Sequence, residues 1–407
     1  MSDRIFSFIE EQRKYVIDFL TNLIQIKAVN PSMGGPGEFK RALYIEDELK
    51  KIGIENIKRI DVVDERVEEG VRRNLIAIIP GENRVKRLWI ISHTDTVPEG
   101  DINLWNTPPF KPTLINDKLY GRGAEDNGQA IASSILTAKT LLELDIVPKI
   151  DLGLMFVADE EAGSRYGMLK IFEENIFRKD DLILVPDAGT PSGKYIEVAE
   201  KSILWFKITV IGRQAHGSMP HKGLNAHRIG MKFSLTLDDI LHRHFSDIDD
   251  LFEPPSSTFE PTRKDKNLDN INTIPGSDTV YFDCRILPKY SLDKVISIIE
   301  DARKFFEKIY DVKIFIEYIA KSQAAPPTSP RSEVVLKLSE AIRRARGFEP
   351  KIYGIGGGTF ASIFRRRGYQ AAVWATMDET AHNPNEYVKI SNIIEDTKVF
   401  TIMSLLN

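Results

Sequence analysis

Cysteine is almost absent: one thiol, Cys284, stands in 407 residues. A single thiol cannot close an internal disulfide, which excludes a disulfide-built scaffold and fits a reducing compartment. Cys284 lies in the apolar run VYFDCRIL and reads as a small core residue rather than a nucleophile. An excess of one charge is also missing, since 55 Lys and Arg against 59 Asp and Glu leave a net charge of −4. That balance gives no electrostatic reason to expect nucleic acid or an anionic membrane as a partner. The basic triplet Arg365, Arg366 and Arg367 reads as a solvated helix face. No apolar run reaches the ~18 residues that a membrane-spanning helix needs. The start, MSDRIFSFIEEQRK, has charged residues where a secretory leader needs an apolar stretch, so the expected location is cytoplasmic. A G-x-S-x-G elbow is lacking, which removes the basis for a serine hydrolase. The glycine run IGGGTF (355–360) is followed by no Lys-Ser or Lys-Thr, and GRGAED lacks a third glycine, so neither completes a phosphate loop. Repeats and low-complexity segments are missing as well.

What is present is an ordinary globular balance, 42% hydrophobic and 28% charged, sufficient for a substantial core. A single core usually stops growing at ~250–300 residues, so this length predicts two domains. Apolar positions from Phe8 to Ile24 recur near every 3.6 residues and predict a helix over 8–28, with a second over 38–52. The runs NLIAII (74–79), RLWIIS (87–92), DLGLMFVA (151–158) and LILVP (182–186) read as buried strands, separated by helices over 128–144 and 165–175. Strands that are apolar throughout and alternate with helices predict an α/β fold with a mixed, mainly parallel sheet sandwiched by helices. Between 201 and 320 the pattern changes. Strands that alternate polar and apolar accompany two helices, over 224–243 and 291–309, as expected for a smaller inserted α+β domain. The stretch QAAPPTSPR (323–331), with three prolines, marks its exit. The expected division is therefore 1–200 with 321–407 as one domain and 201–320 as the other.

In an open α/β sheet, ligands bind outside the carboxyl ends of the strands. Here those ends are biased: His93-Thr94-Asp95 follows RLWIIS, Asp159-Glu160-Glu161 follows DLGLMFVA, and Asp187 follows LILVP. The loop GRGAEDNG places Asp126 before the 128–144 helix, and His382 lies beyond a late strand. Singly, each aspartate reads as a turn or a helix cap and each histidine as a satisfied surface or core residue. Together, carboxylates crowded at one edge repel one another unless cations neutralise them. Asp126, Glu161 and Asp187 bring three negative charges and the two imidazoles none. Two divalent ions with one hydroxide bring that set to neutrality. Mixed imidazole and carboxylate ligands suit zinc, with cobalt or manganese as substitutes.

The motifs SHTDTVPEG, WNTPPFKPTLINDKLYGRGAEDNG, the pair Glu160-Glu161, GRQAHGSMPHKGLNAH and AHNPNE occur in this order. They resemble the co-catalytic zinc amidohydrolases, the family of acetylornithine deacetylase, succinyl-diaminopimelate desuccinylase, aminoacylase and carboxypeptidase G. The resemblance spans about residues 85–390. It implies that Asp126 bridges two metals, that His93 and Asp187 ligate one, and that Glu161 and His382 ligate the other. Asp95 resembles the carboxylate that fixes the His93 tautomer. Glu160 resembles the general base, taking a proton from a metal-bridging water and passing it to the leaving amine. His216 resembles the histidine that supports the tetrahedral oxyanion, often from the other subunit of a dimer. Arg285 in DCRILP and Asn272 in NTIP resemble positions that hold a substrate carboxylate. Gly358 and Thr359, in the glycine run, bring backbone close to substrate or metal. Relatives often carry an aspartate after this Gly-Gly-Thr, whereas Phe360 and Ala361 follow Thr359 here.

The implied activity is hydrolysis of an N-acyl amino acid, of the deacetylase or desuccinylase kind. A carboxypeptidase or dipeptidase acting on short peptides is the alternative. The implied inserted domain is a lid and dimerisation domain that makes a homodimer. A metal-bound binding protein without catalysis is the competing class, and the presence of both Glu160 and His216 speaks against it.

Overall fold

The apolar runs do become neighbouring strands of one eight-stranded sheet. In the computed structural model, which describes residues 2–407, the sheet runs in the order Ile57–Val63, Val71–Ile79, Ile150–Val157, Asn83–His93, Leu182–Val185, Ala371–Val373, Tyr195–Glu200 and Lys351–Ile355. Its middle is parallel: Asn83–His93 pairs in parallel with both Ile150–Val157 and Leu182–Val185, and the latter with Ala371–Val373. Antiparallel pairs flank it on both sides. Every residue of Ile150–Val157 is buried, as expected for a central strand covered by helices on both faces. Trp89, Ile91, Met155, Val157, Ile183 and Val185 point to one face and share a cluster with Met168 and Phe364. The intervening Leu88, Ile90, Leu152 and Leu154 are equally buried. They point the other way, since side chains alternate along a strand.

Register brings the site together. His93 pairs with Val157, and Ile90 with Leu184, so three parallel strands end at one edge. The residues just beyond them, 94–95, 159–161 and 187, must emerge there.

The N-terminal segment differs from the single expected helix. It forms two, Ser2–Glu11 and Arg13–Gln25, interrupted at Gln12, whose N–H bonds the Ile9 carbonyl. Periodicity carries across such a break because the buried positions on both sides face the core. The Arg365 reading is also corrected. Only Arg366 and Arg367 are exposed; Arg365 is buried and its guanidinium donates to Glu197 at 2.8 Å, to Thr328 Oγ1 and to the Ala371 carbonyl. A buried arginine persists where its donors are used.

The chain divides into two compact units. One holds the residues up to Val198 with Thr328–Ile352 and Thr359–Asn407; the other holds Ala199–Pro327 and Tyr353–Gly358. The second contains a four-stranded antiparallel sheet in the order Thr258–Lys264, Ser277–Ile286, Ser202–Ile211 and Lys313–Ser322. Helices Ala226–His244 and Leu292–Tyr310 contribute Phe233, Leu237, Val295 and Ile299 to a core shared with Phe206, Phe282 and Cys284. Trp205, Phe315 and Ile319 remain exposed. Among the described residues no helix is long and apolar enough to cross a membrane.

Candidate metal centre

His93 closes its strand with a buried ring. Its Nδ1 lies 3.0 Å from the Asp95 carbonyl oxygen and 3.5 Å from the Asp95 carboxylate. A carbonyl can only accept, so Nδ1 carries the hydrogen and Nε2 faces the site. The nearer partner is thus the Asp95 backbone. The Asp95 carboxylate accepts the N–H groups of Glu160 at 3.0 Å and Glu161 at 3.3 Å, and the Asn30 amide at 2.7 Å. Burial would raise the Asp95 pKa, yet the His93 ring, Asn30 and Arg72 hold it below the ordinary range.

Asp126 lies between two imidazoles. One oxygen stands 2.8 Å from His93 Nε2 and the other 2.9 Å from His382 Nε2. Asp187 flanks His93 Nε2 at 3.3 Å, and Glu161 flanks His382 Nε2 at 3.3 Å. The peptide bond between Asp126 and Asn127 is cis, and the Asn127 amide donates to Asp187 Oδ1 at 2.7 Å. Ligand atoms of His93, Asp126 and Glu161 lie within 4.8 Å of one another, and so do those of His93, Glu160 and Asp187. The structure therefore gathers His93, Asp126, Glu160, Glu161, Asp187 and His382, with Asp95 beneath them.

The electrostatics arise from that crowding. Burial opposes charge on His93, but Asp187 and Asp126 outweigh it and raise its pKa well above the ordinary value. Hydrogen bonds donated to the Asp126 and Glu161 carboxylates raise His382 to about 10. Burial, then the Asp187 charge, pushes Glu160 well up, and burial with Asp126 raises Glu161. The carboxylates thus demand positive charge, which protons on the two imidazoles or bound cations can supply. Glu161 Oε1 is buried without a hydrogen-bond partner. An orphaned carboxylate oxygen among converging imidazole and carboxylate donors fits divalent cations of the zinc, cobalt or manganese type.

Residues that sequence reasoning passed over hold this edge in place. Asn30 is buried and joins Asp95 to Asp159 at 3.0 Å. Asp159 takes a left-handed conformation, φ 64°, and accepts the Tyr166 N–H at 3.1 Å, which turns the chain so that Glu160 and Glu161 come next at the edge. Arg72, fully buried, grips Glu38 through two 2.6 Å bonds and stands 3.6 Å from Asp159. The Asn-Pro after the 13–25 helix was the available signal for Asn30; nothing local marks Arg72, whose partners are distant in sequence.

Of the remaining predicted residues, Thr359 belongs to the first unit and His216, Asn272, Arg285 and Gly358 to the second. Thr359 is buried in the first unit, with its hydroxyl accepting the Ala361 N–H at 3.2 Å. Phe360 is buried edge-on to His93, with ring centroids 6.1 Å apart. In the second unit, His216 is exposed and its Nδ1 meets Ser218 Oγ at 2.8 Å. The Ala215–His216 ladder pairs with Thr273–Ile274, and the neighbouring Asn272 carbonyl accepts the Gly217 N–H. Arg285 is engaged: its guanidinium bonds Asp283 at 2.7 and 3.0 Å and the Gly356 carbonyl at 2.8 Å. Two of its five N–H donors therefore remain for other partners. Gly358 lies beside the Glu200 carboxylate.

A helix-sandwiched sheet whose parallel strands deliver two imidazoles and a ring of carboxylates to one edge defines a metallohydrolase of mixed α/β architecture. The chain belongs to peptidase family M20/M25/M40, whose model matches residues 89–404. It is thus a metal-dependent hydrolase of peptide or amide bonds, and the resemblance carried by its motifs holds. A metallohydrolase of Methanocaldococcus jannaschii is 44% identical over 93% of this chain and 96% of the relative. Succinyl-diaminopimelate desuccinylase of Rickettsia canadensis is 28% identical over 93% and 95%. Among solved structures, human carnosine dipeptidase 1 superposes with a TM-score of 0.74 at 17% identity, covering 99% of this chain and 98% of its own; that likeness is one of fold.

Proposed function

We propose that the chain hydrolyses the amide bond of an N-acyl amino acid, in the manner of a deacetylase or desuccinylase, with two zinc ions. The observation that carries this is the Asp126 carboxylate, whose two oxygens each face an imidazole, at 2.8 and 2.9 Å. In this reading His93, Asp126 and Asp187 would hold one ion, and Asp126, Glu161 and His382 would hold the other. When bound, the ions activate a water and polarise the scissile carbonyl. Glu160 takes the proton of the attacking water and delivers it to the leaving amine. Asp95 holds both glutamates through their backbone N–H groups and keeps the His93 ring oriented. His216 donates to the oxyanion from a second copy of the chain. Arg285, with its two remaining donors, Asn272 and the Gly358-Thr359 backbone receive the substrate carboxylate.

The desuccinylase relative supports the acyl amino acid as substrate class, and the exposed Trp205, Phe315 and Ile319 suit a homodimer through the inserted unit, which acts as lid and dimerisation domain. The lone buried thiol is in keeping with a cytoplasmic protein. The test is metal content per chain, measured beside turnover of N-succinyl-diaminopimelate, N-acetylornithine, N-blocked amino acids and dipeptides. Two ions per chain with turnover of an N-acyl amino acid is the expected result. Preference for dipeptides would replace the deacylase by a dipeptidase, and full activity after exhaustive chelation would overturn the metal mechanism.

A further inference from the structure

Glu125 and Glu386 are buried carboxylates, and neither belongs to the proposed ligand set. Their partners form a reciprocal pattern. Glu386 accepts the backbone N–H groups of Gly123 and Glu125, each at 2.9 Å, and of Asp126 at 3.0 Å. It thereby gathers the loop that carries Asp126. Glu125 accepts the N–H groups of Asp378 and Thr380, each at 2.5 Å, and of Ala381 at 3.0 Å, with the Thr380 hydroxyl at 2.8 Å. It gathers the loop that carries His382. Each loop thus supplies the carboxylate that orders the backbone of the other. Arg122 ties the two, donating to Glu386 at 2.7 Å and to the His382 carbonyl at 3.3 Å.

The bland account is that two buried acids satisfy loose loop backbone. Against it stands where the donors lie: one is the N–H of Asp126 itself, and another belongs to the residue just before His382. A displacement of either loop moves Asp126 relative to His382 directly. We propose that Glu125 and Glu386 are positioning residues, a reciprocal clamp that sets the spacing of Asp126 and His382 and so the affinity of the cation site these two share. The clamp rests on the two-cation reading, and it carries an asymmetry. Glu125 touches only the His382 loop, so its loss weakens one site; Glu386 holds Asp126, which serves both, so its loss weakens two.

The experiment titrates metal-free protein with Co(II), followed by visible absorption and calorimetry, and measures hydrogen exchange of the same metal-free samples. Glutamine at either position turns an amide NH2 toward backbone donors that need an acceptor. Partners that orient metal ligands typically account for about 10–100-fold in affinity. Glu125→Gln is expected to weaken one Co(II) step by that factor while the other stays within about threefold. Glu386→Gln weakens both. In metal-free Glu125→Gln the amides of 378–381 exchange faster, while those of 88–92 keep their protection. Should Glu125→Gln not fold, Glu125→Asp shortens the reach to the 378–381 backbone and gives the same asymmetry on a smaller scale. Equal weakening of both steps in Glu125→Gln, or two unchanged steps, would overturn the clamp. A wild-type chain that binds no Co(II) would sink the two-cation reading instead, and the exchange of 378–381 would still decide whether Glu125 holds that loop.

Discussion

The strand-end edge of the first unit and the His216 segment of the second hold their candidate residues by opposite means. At the edge, His93, Asp126, Asp187 and Glu161 have side chains no more than 13% exposed. Behind them Asp95, Asp159, Glu125 and Glu386 accept backbone or side-chain N–H groups. His216 lies in the open, fixed by Ser218 and a two-residue ladder. Charge in a low-dielectric setting is tolerated when its partners are complete, so most of the edge has its geometry set before any ligand arrives, and the unpartnered Glu161 Oε1 and the exposed His382 ring are what a cation would complete. An exposed imidazole on a short ladder has its position set by few contacts, and a ligand or partner completes it.

The largest effect therefore belongs at the edge. Asp126→Ala removes the oxygen from both imidazole-facing positions, and kcat/KM is expected to fall by about 10⁴-fold or more, since in the proposed two-ion site both ions would lose a ligand. Metal analysis should show the loss in the same sample. Retention of two ions with unchanged turnover would break the account of the edge as a shared two-ion site.

That edge was also the part most legible in sequence. Apolar runs fixed in register force the residues at their carboxyl ends to one side, so His93, Glu160, Glu161 and Asp187 could be read from their places after strands. Asp126 and His382 sit on loops, and their meeting depends on Glu125 and Glu386, which the motifs GRGAEDNG and AHNPNE contain but do not explain. A carboxylate that serves backbone N–H groups leaves no spacing rule, because its donors belong to a segment some 250 residues away, as for Glu125 and Ala381. The buried Arg365 was misread for the same reason: a run of three arginines looks solvated until the distant Glu197 is placed beside one of them. The break at Gln12 is likewise invisible to a periodicity that both helices share.

Glu160→Gln sharpens the comparison within the edge. The isosteric amide keeps the shape but cannot take a proton, so kcat is expected to drop by about 10²–10⁴-fold, the usual contribution of a general base. Metal content should stay at the wild-type value, separating Glu160 from the proposed ligand Glu161, whose replacement by alanine is expected to lower metal content. If Glu160→Gln sheds an ion, Glu160 is a ligand and the base lies elsewhere. His216→Ala probes the other region. Loss of one oxyanion donor costs about 10²–10³-fold in kcat, yet an exposed side chain contributes little to folding, so Tm should remain within about 1 °C of wild type. An equal fall in Tm and activity would recast the His216 segment as structural.

The smallest effect lies in the interior of the second unit, where Cys284 packs among Phe206, Phe282 and Leu204. Burial pushes its thiol pKa up, with the nearby Asp283 adding to the shift. Only the thiolate reacts, so the native chain at neutral pH should resist alkylating reagents, while the denatured chain reacts with one equivalent. The sign of the linkage is fixed: the folded chain holds this proton more tightly, so the contribution to stability is fully present below the ordinary thiol pKa and is lost as pH rises from there through the raised folded value. Cys284→Ala is expected to cost about 1 kcal/mol of stability and leave kcat and KM unchanged, as for a small core side chain. Rapid labelling of the native chain, or loss of turnover in the alanine variant, would show that this interior opens or takes part in chemistry. The division between a chemical edge in one unit and an inert core in the other would then have to be redrawn.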